Sequence, residues 1–341
     1  MHTRHFSPGV FFLILFQFIY CSKICKEEPG VYELYFLTMG SSAHIVIYPN
    51  RGIKGDDVLK RMSDEIKHIE YIANRFDEES EISKINSLNT GERVMVNKDL
   101  IDILKISKEL TMKTDGAFDP TYMTEIKYGG KPVSGKRERD DWSNLSINED
   151  TMTIAKLGDV LIDLGAIAKG YAADRALKSV EGLIKGGMVE IGGDISTYGE
   201  KPDGSPWVIE IPEEFGDFRI VIEGGGGVAT SSSRHGNLKE GEFHIVDPKT
   251  GKPIVNINQS LVVSSDATMS DAFATSLIVL GKDGIGLINR TDNIEGMIVT
   301  NGELYKSDGI DKFLNKEFWI ELVRTSALPQ SDIEHHSRDS E

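Results

Sequence analysis

Cysteine is almost absent from this 341-residue chain: Cys21 and Cys25 are the only two, both near its start. No disulfide framework can therefore support the main fold. Positive charge is also in short supply. Against 54 Asp and Glu stand 38 Lys and Arg, a net charge of −16, which argues against a nucleic-acid partner whose phosphates would be repelled. No internal repeat or low-complexity block stands out. The apolar run Val10 to Tyr20 is too short to span a bilayer comfortably as a helix, which takes about 20 residues. What is present is 39% hydrophobic and 27% charged residues, enough for a sizeable core and unlike a disordered chain.

The two ends read as separate from the fold. Arg4, the apolar run and then Cys21-Ser22 have the layout of a secretory signal. Cys21 directly after the run points to a bacterial lipoprotein, cleaved before the cysteine and acylated on it, although Tyr20 stands where a small residue is expected. A local Cys21–Cys25 disulfide is the alternative. The expected organisation is a signal peptide over 1–20, a lipidated and linker segment over 21–33, one domain over 34–324, and a disordered Ser/Asp/Glu/His-rich tail over 325–341. On this reading the protein is exported and anchored to a bacterial membrane, facing the periplasm or exterior.

Between the ends the patterning is mixed. Leu34 to Tyr48 holds two apolar stretches split by Gly40, whereas Val58, Leu59, Met62, Ile66 and Ile69 keep helical spacing, as do Ile101, Leu104 and Leu110. Trp207–Ile211 and Phe218–Ile222 alternate like paired strands. Lys127 to Trp142 is polar and glycine-bearing, a surface insertion, and Gly224 to Gly227 reads as a flexible loop. The expected fold class is α+β.

Three clusters carry chemistry. In the first, β-branched Val160-Leu-Ile162 reads as a buried strand leading through Asp163-Leu-Gly-Ala166-Ile-Ala-Lys169 into a helix. Unpaired N–H groups at such a helix start suit a phosphate with Lys169 as counter-charge, but the same join is also a common structural one. In the second, Asp271, Ala274 and Thr275 share one face of a helix closed by Gly281. A carboxylate and a hydroxyl so stacked can hold Mg²⁺, or can serve as a helix cap and a hydroxyl bonded back to a carbonyl. In the third, Phe243-His244-Ile245-Val246-Asp247-Pro248-Lys-Thr-Gly251 reads as a strand entering a tight turn, with His244 pointing opposite to its apolar neighbours. His244 is either a surface histidine or a proton-transfer group.

With these segments quoted, the chain resembles the FAD:protein FMN transferase family, the ApbE-like flavin transferases, from about Phe36 to Thr300. Met39-Gly40-Ser41, Arg75-Phe76-Asp77, Ser80-Glu81-Ile-Ser83, Thr114-Asp-Gly116-Ala117-Phe118-Asp119-Pro120-Thr121, the Asp163–Tyr171 segment, Glu190-Ile-Gly192-Gly193-Asp194, Val228-Ala-Thr230-Ser231, His244–Pro248 and Asp271–Thr275 follow in the family's order. Ala166 replaces the second glycine of the family's Gly-Gly pair, and Ser232 replaces the glycine usual after Thr230-Ser231.

The resemblance implies a single compact α+β domain of the ApbE-like, T-fold-related type. It further implies Mg²⁺-dependent transfer of FMN from FAD to a Ser or Thr of an exported or membrane redox protein, within an Asp-Gly-x-Ser/Thr-Gly/Ala-Thr motif, with AMP released. By matching position His244 would be the general base. Asp271, Thr275 and the carbonyls of Ala166 and Ala274 would hold Mg²⁺, while Met39, Phe76, Ala117, Phe118, Asp119, Asp163, Lys169 and Ile245 would line the FAD site. Two other readings stay open: a Mg²⁺-dependent pyrophosphatase giving FMN and AMP, and a flavin-binding lipoprotein without catalysis.

Overall fold

A computed structural model describes residues 23–25, 30–121, 141–211, 219–233, 245–255 and 258–315. The chain starts with strands β1 (Lys23–Cys25), β2 (Tyr32–Thr38) and β3 (Ser41–Pro49), then helices α1 (Gly55–Ala73) and α2 (Glu81–Ser87). Strand β4 (Arg93–Met95), helix α3 (Lys98–Lys113), strands β5 (Leu145–Asn148) and β6 (Thr153–Lys156) and helix α4 (Ala168–Ser179) follow. Next come β7 (Ile184–Ile191), β8 (Asp194–Gly199), β9 (Trp207–Glu210), β10 (Arg219–Ile222) and β11 (Gly225–Ser232). The described part closes with β12 (Val246–Asp247), β13 (Lys252–Pro253), β14 (Asn258–Ser264), α5 (Ala267–Leu280), α6 (Gly284–Asn289), β15 (Ile294–Thr300) and β16 (Glu303–Lys306).

One antiparallel sheet organises the domain, in the order β1-β2-β3-β7-β8-β11-β14-β15-β16. Both of its faces are covered, and strand periodicity explains how. Ala229, Val262 and Ile298 point to a core shared with α1, α4 and α5. Their neighbours Val228, Leu261, Val263 and Met297 point the other way, against Trp207, Ile209, Ile220 and Ile222 of the β9–β10 hairpin. Helix α1 buries Val58, Leu59, Met62, Ile66, Ile69 and Ile72 along one stripe. Asn97 caps α3 by accepting from Asp99 N–H at 2.9 Å, and Asp266 caps α5 by accepting from Met269 N–H at 2.8 Å. The α+β class, the 34–48 hairpin, the helices over 58–69 and 101–110 and the β9–β10 pairing agree with the sequence patterning.

Several expectations need correction. Val160 and Ile162 are buried, but the segment forms no strand. The Asn86 carboxamide accepts from Ile162 N–H at 2.8 Å and donates to Ile162 C=O at 2.9 Å, so one side chain serves as the segment's partner. Gly225–Gly227 is not a loop but the start of β11, paired with β8 and β14. A Cβ at Gly227 would stand 2.1 Å from the Asp266 carbonyl carbon, so glycine there lets the start of α5 lie against the strand. Trp142 is buried, with Nε1 donating to Thr111 Oγ1 at 3.1 Å; the rest of the expected insertion lies outside the described residues, apart from Asp141. Lys23–Cys25, within the expected lipidated and linker segment 21–33, pairs with β2. The 1–20 leader, Cys21 and the 325–341 tail lie outside the described residues. Among the described residues no helix is long and apolar enough to cross a membrane.

Candidate functional site

Three charged side chains from three elements converge where α4 and α5 cross the centre of the sheet. Lys169, in the first turn of α4, directly contacts Asp194 Oδ2, and its Nζ lies 3.5 Å from Asp271 Oδ2. Both carboxylates are buried, at 1% and 2% of side-chain surface, while Lys169 keeps 24% accessible. Asp194 starts β8 after the Gly192-Gly193 turn, whose residues have φ of 59° and 93°. Its Oδ1 is buried without a hydrogen-bond partner. Burial works against the Lys169 charge, but Asp194 and Asp271 outweigh it and hold the ammonium above the ordinary lysine range. Burial first, then the Asp271 charge, push the Asp194 carboxyl well above the ordinary carboxylate range against the pull of Lys169.

Close backbone approach makes this convergence possible. Gly170 N–H donates to Asp271 Oδ2 at 3.2 Å, and a Cβ on Gly170 would stand 2.2 Å from Ala267 O. Asp174, one turn further along α4, accepts from Ala267 N–H, Thr268 N–H and Ser196 Oγ–H at 3.0, 2.8 and 2.6 Å. It thus shares the capping of α5 with Asp266. Asp271 lies inside the helix, so the reading of it as a cap is excluded. Thr275 Oγ1 lies 3.4 Å from Ser231 Oγ, and the Ala274 carbonyl accepts from Ser260 Oγ–H at 2.7 Å. Ala166 sits in the turn before α4.

Other expected site residues flank this centre. A Cβ at Gly192 would stand 2.6 Å from Ser41 Oγ and 3.6 Å from Lys169 Cδ, which brings the β2–β3 turn to the lysine. In that turn Met39 has φ 51°, and its N–H donates to Glu70 Oε1 at 2.7 Å while Thr38 Oγ–H donates to Glu70 Oε2 at 2.7 Å. Asp163 is paired with Arg75 Nε at 2.8 Å, accepts from Gly165 N–H, and donates its own N–H to Pro120 O at 2.8 Å. The Arg75 guanidinium covers the ring of Phe76, which is 68% exposed and free to meet a planar ligand. Asp119 accepts from Thr121 N–H and Oγ–H, and Ala117 and Phe118 are buried behind it.

The β12–β13 hairpin carries Ile245 and is stitched by Asp247, which accepts from Lys249 N–H and Thr250 Oγ–H at 2.8 Å each. Lys249 Nζ reaches Asp115 Oδ2 at 2.6 Å and so ties the hairpin to the turn before Ala117. His244 lies outside the described residues.

The donors around Asp271 suit a hard cation: carboxylate, hydroxyl and carbonyl oxygens, with one orphaned buried oxygen on Asp194. Among the described residues no three His, Cys, Asp or Glu side chains form a metal-holding group, so hydroxyl and carbonyl oxygens would have to complete such a shell. Sequence reasoning missed Asp194, Asp174 and the Gly170 crossing as parts of the site. A carboxylate closing the Gly192-Gly193 pair, next to apolar Ile195, was the signal for the first.

A family model described as the ApbE family matches residues 39–298. The FAD:protein FMN transferase of Haemophilus influenzae is 27% identical over 322 residues, covering 83% of this chain and 92% of that protein. That of Vibrio cholerae is 26% identical over 317 residues, covering 86% and 93%. Among solved structures, the apbe protein of Thermotoga maritima superposes with a TM-score of 0.73 at 28% identity, covering 84% of this chain and 99% of that one. The apo flavinyl transferase ApbE of Pseudomonas stutzeri, at 23% identity and TM-score 0.70, shares the fold over 84% of this chain and 98% of its own.

Proposed function

The chain belongs to the ApbE family, and on that premise we propose that it is an FAD:protein FMN transferase. The observation that carries the reading furthest is the family match over residues 39–298, which spans the Lys169, Asp194 and Asp271 convergence. In this reading FAD lies along the Asp163–Lys169 turn. Phe76 meets the flavin or adenine ring, Asp119 and Asp163 take polar groups, and Met39, Ala117, Phe118 and Ile245 complete the walls. Lys169 faces the pyrophosphate.

Asp271, Thr275 and the carbonyls of Ala166 and Ala274 would hold Mg²⁺. The ion supplies Lewis-acid neutralisation of charge on phosphate oxygens. A Ser or Thr hydroxyl of the acceptor attacks the FMN-side phosphorus; the new phosphoester bond forms as the pyrophosphate bond breaks, and AMP leaves with the bonding electrons. The hydroxyl is a weak nucleophile, and its proton passes to His244 as general base. Acylation of Cys21 would place the enzyme on the outer side of a bacterial membrane beside exported redox acceptors.

The test incubates purified protein with FAD, Mg²⁺ and a domain bearing the Asp-Gly-x-Ser/Thr-Gly/Ala-Thr motif, then reads flavin fluorescence on a denaturing gel and the acceptor mass. An FMN-sized mass gain that survives denaturation is expected. Free FMN and AMP with no labelled acceptor, across several acceptors, would move the assignment to a pyrophosphatase; binding without turnover would leave a flavin carrier.

A further inference from the structure

The Lys169 ammonium stands between two buried carboxylates but is shared unequally: it contacts Asp194 directly and stops 3.5 Å from Asp271. Asp194 also differs from Asp271 in what else it binds. Asp271 Oδ2 receives Gly170 N–H in addition, whereas one oxygen of Asp194 is given to Lys169 and the other has no partner. Asp194 is fixed in the middle of the sheet, paired in register with Ile191 and Ala229. Lys169 is fixed to a helix that Gly170 lets settle onto α5. Neither backbone can drift, so the contact that Asp194 makes with Nζ holds the ammonium 3.5 Å from Asp271.

A lysine beside a carboxylate is that carboxylate's internal cation. If Lys169 settled on Asp271, it would compete with any external cation for the same oxygens. We propose that Asp194 is a positioning residue that draws Lys169 aside and keeps Asp271 open to a divalent cation. This rests on Asp271 being a cation ligand, as proposed above. Asp194 thereby acts through Lys169 and not on the reacting atoms. Its effect should appear in metal affinity before any chemistry takes place.

The test is Mn²⁺ binding to the full chain, read by electron paramagnetic resonance and checked by Mg²⁺ competition, with and without FAD. Asp194→Asn, close in size, should weaken Mn²⁺ binding at least tenfold as Lys169 moves onto Asp271. Lys169→Met in the same background removes the competitor and should restore Mn²⁺ affinity to within a few-fold of wild type, although FAD binding stays impaired. A purely structural Asp194, or one that ligates the metal itself, would give no recovery in the double variant, and either result overturns the proposal. An unchanged affinity in Asp194→Asn overturns it too. Should Asp194→Asn not fold, Lys169→Met alone decides: Mn²⁺ binding equal to or tighter than wild type is expected, since a lysine already drawn aside competes little, and binding weakened tenfold or more refutes the proposal. Absence of Mn²⁺ binding by the wild type, with or without FAD, would instead remove the cation site proposed around Asp271.

Discussion

Gly170→Ala tests the crossing on which the site is built. The added methyl carbon would meet Ala267 O at 2.2 Å, Ala267 C at 2.6 Å and Asp271 Cβ at 3.0 Å. The first two are backbone atoms that no rotamer change can move. Ordinary contact requires about 3.5 Å, so α4 and α5 must part by roughly 1 Å. Overpacking of this kind costs about 1–3 kcal/mol. Stretching the Gly170 N–H bond to the Asp271 carboxylate removes a charge-assisted hydrogen bond worth about 1.5–3 kcal/mol, and the better helix propensity of alanine returns about 1 kcal/mol. The net loss is about 1.5–5 kcal/mol, a fall in Tm of roughly 3–20 °C at about 2–4 °C per kcal/mol. Activity should fall further, since a displacement of about 1 Å in a catalytic group can cost roughly 10²-fold. Gly286→Ala is the control: it is also helical, but its nearest neighbour would be Arg290 Nη1 at 3.9 Å, so it should be neutral or slightly stabilising. Thermal melts and FMN-transfer rates on the two variants decide the matter. A Gly170→Ala protein with wild-type Tm and rate would show that the helices do not cross as closely as described.

Asp271→Ala should abolish turnover more completely than Thr275→Ala, because a charged ligand contributes more to holding a cation than a neutral hydroxyl; steady-state rates across Mg²⁺ concentrations, with circular dichroism to confirm folding, make the comparison, and wild-type turnover in Asp271→Ala would eliminate the cation site. For Asp174, burial raises the carboxyl above its ordinary range while Ser196 and Thr268 pull it back. Its folded pKa therefore exceeds the unfolded one, and its titration favours the fold fully below the unfolded pKa, with that contribution lost as pH rises through the folded value. The stability of wild type minus that of Asp174→Asn, from urea melts at several pH values, should fall with rising pH over that window, on top of a constant loss of about 1–3 kcal/mol for each donor left unpaired; a difference that rises with pH would reverse the assignment. Cys21→Ser should leave an uncleaved precursor or a soluble exported form, and the wild-type N-terminus should carry acyl chains by mass spectrometry; an intact Cys21–Cys25 disulfide without lipid would refute the anchor.

Elements governed by local periodicity were legible in the sequence. Val58, Leu59, Met62, Ile66 and Ile69 of α1 recur at helical spacing, and Gly40 marks the turn between two alternating stretches. Where tertiary contacts replace local pairing, the pattern misleads. Val160–Ile162 has strand composition, but its central partner is the Asn86 side chain. Gly225–Gly227 has loop composition, but Gly227 serves the close approach of Asp266 to a strand, and Gly225 and Gly226 the close approach of Thr197 and Ser264 carbonyls. The same division holds at the site. Lys169 and Asp271 could be picked out because each sits in a distinctive segment, whereas the role of Asp194 depends on a meeting of three elements far apart in the chain.

That meeting also bears on how an acidic protein handles an anionic substrate. With all three groups ionised, Lys169, Asp194 and Asp271 sum to one negative charge; with Asp194 protonated they sum to zero. Neither state attracts the FAD pyrophosphate, and the net charge of −16 adds an unfavourable field. At an effective dielectric of about 20, each pair of like charges about 5 Å apart costs roughly 3 kcal/mol. Lys169 alone therefore cannot serve as the phosphate receptor, since its charge is already taken up by the carboxylates it needs in order to stay buried. A divalent cation on Asp271 would reverse the sign of the site while Lys169 stays on Asp194 and faces outward through its accessible quarter. Cation and FAD would then each raise the affinity of the other by the same factor, as linkage requires. The buried carboxylates that look ill-suited to an FAD site are thus what would make its occupancy conditional on the metal.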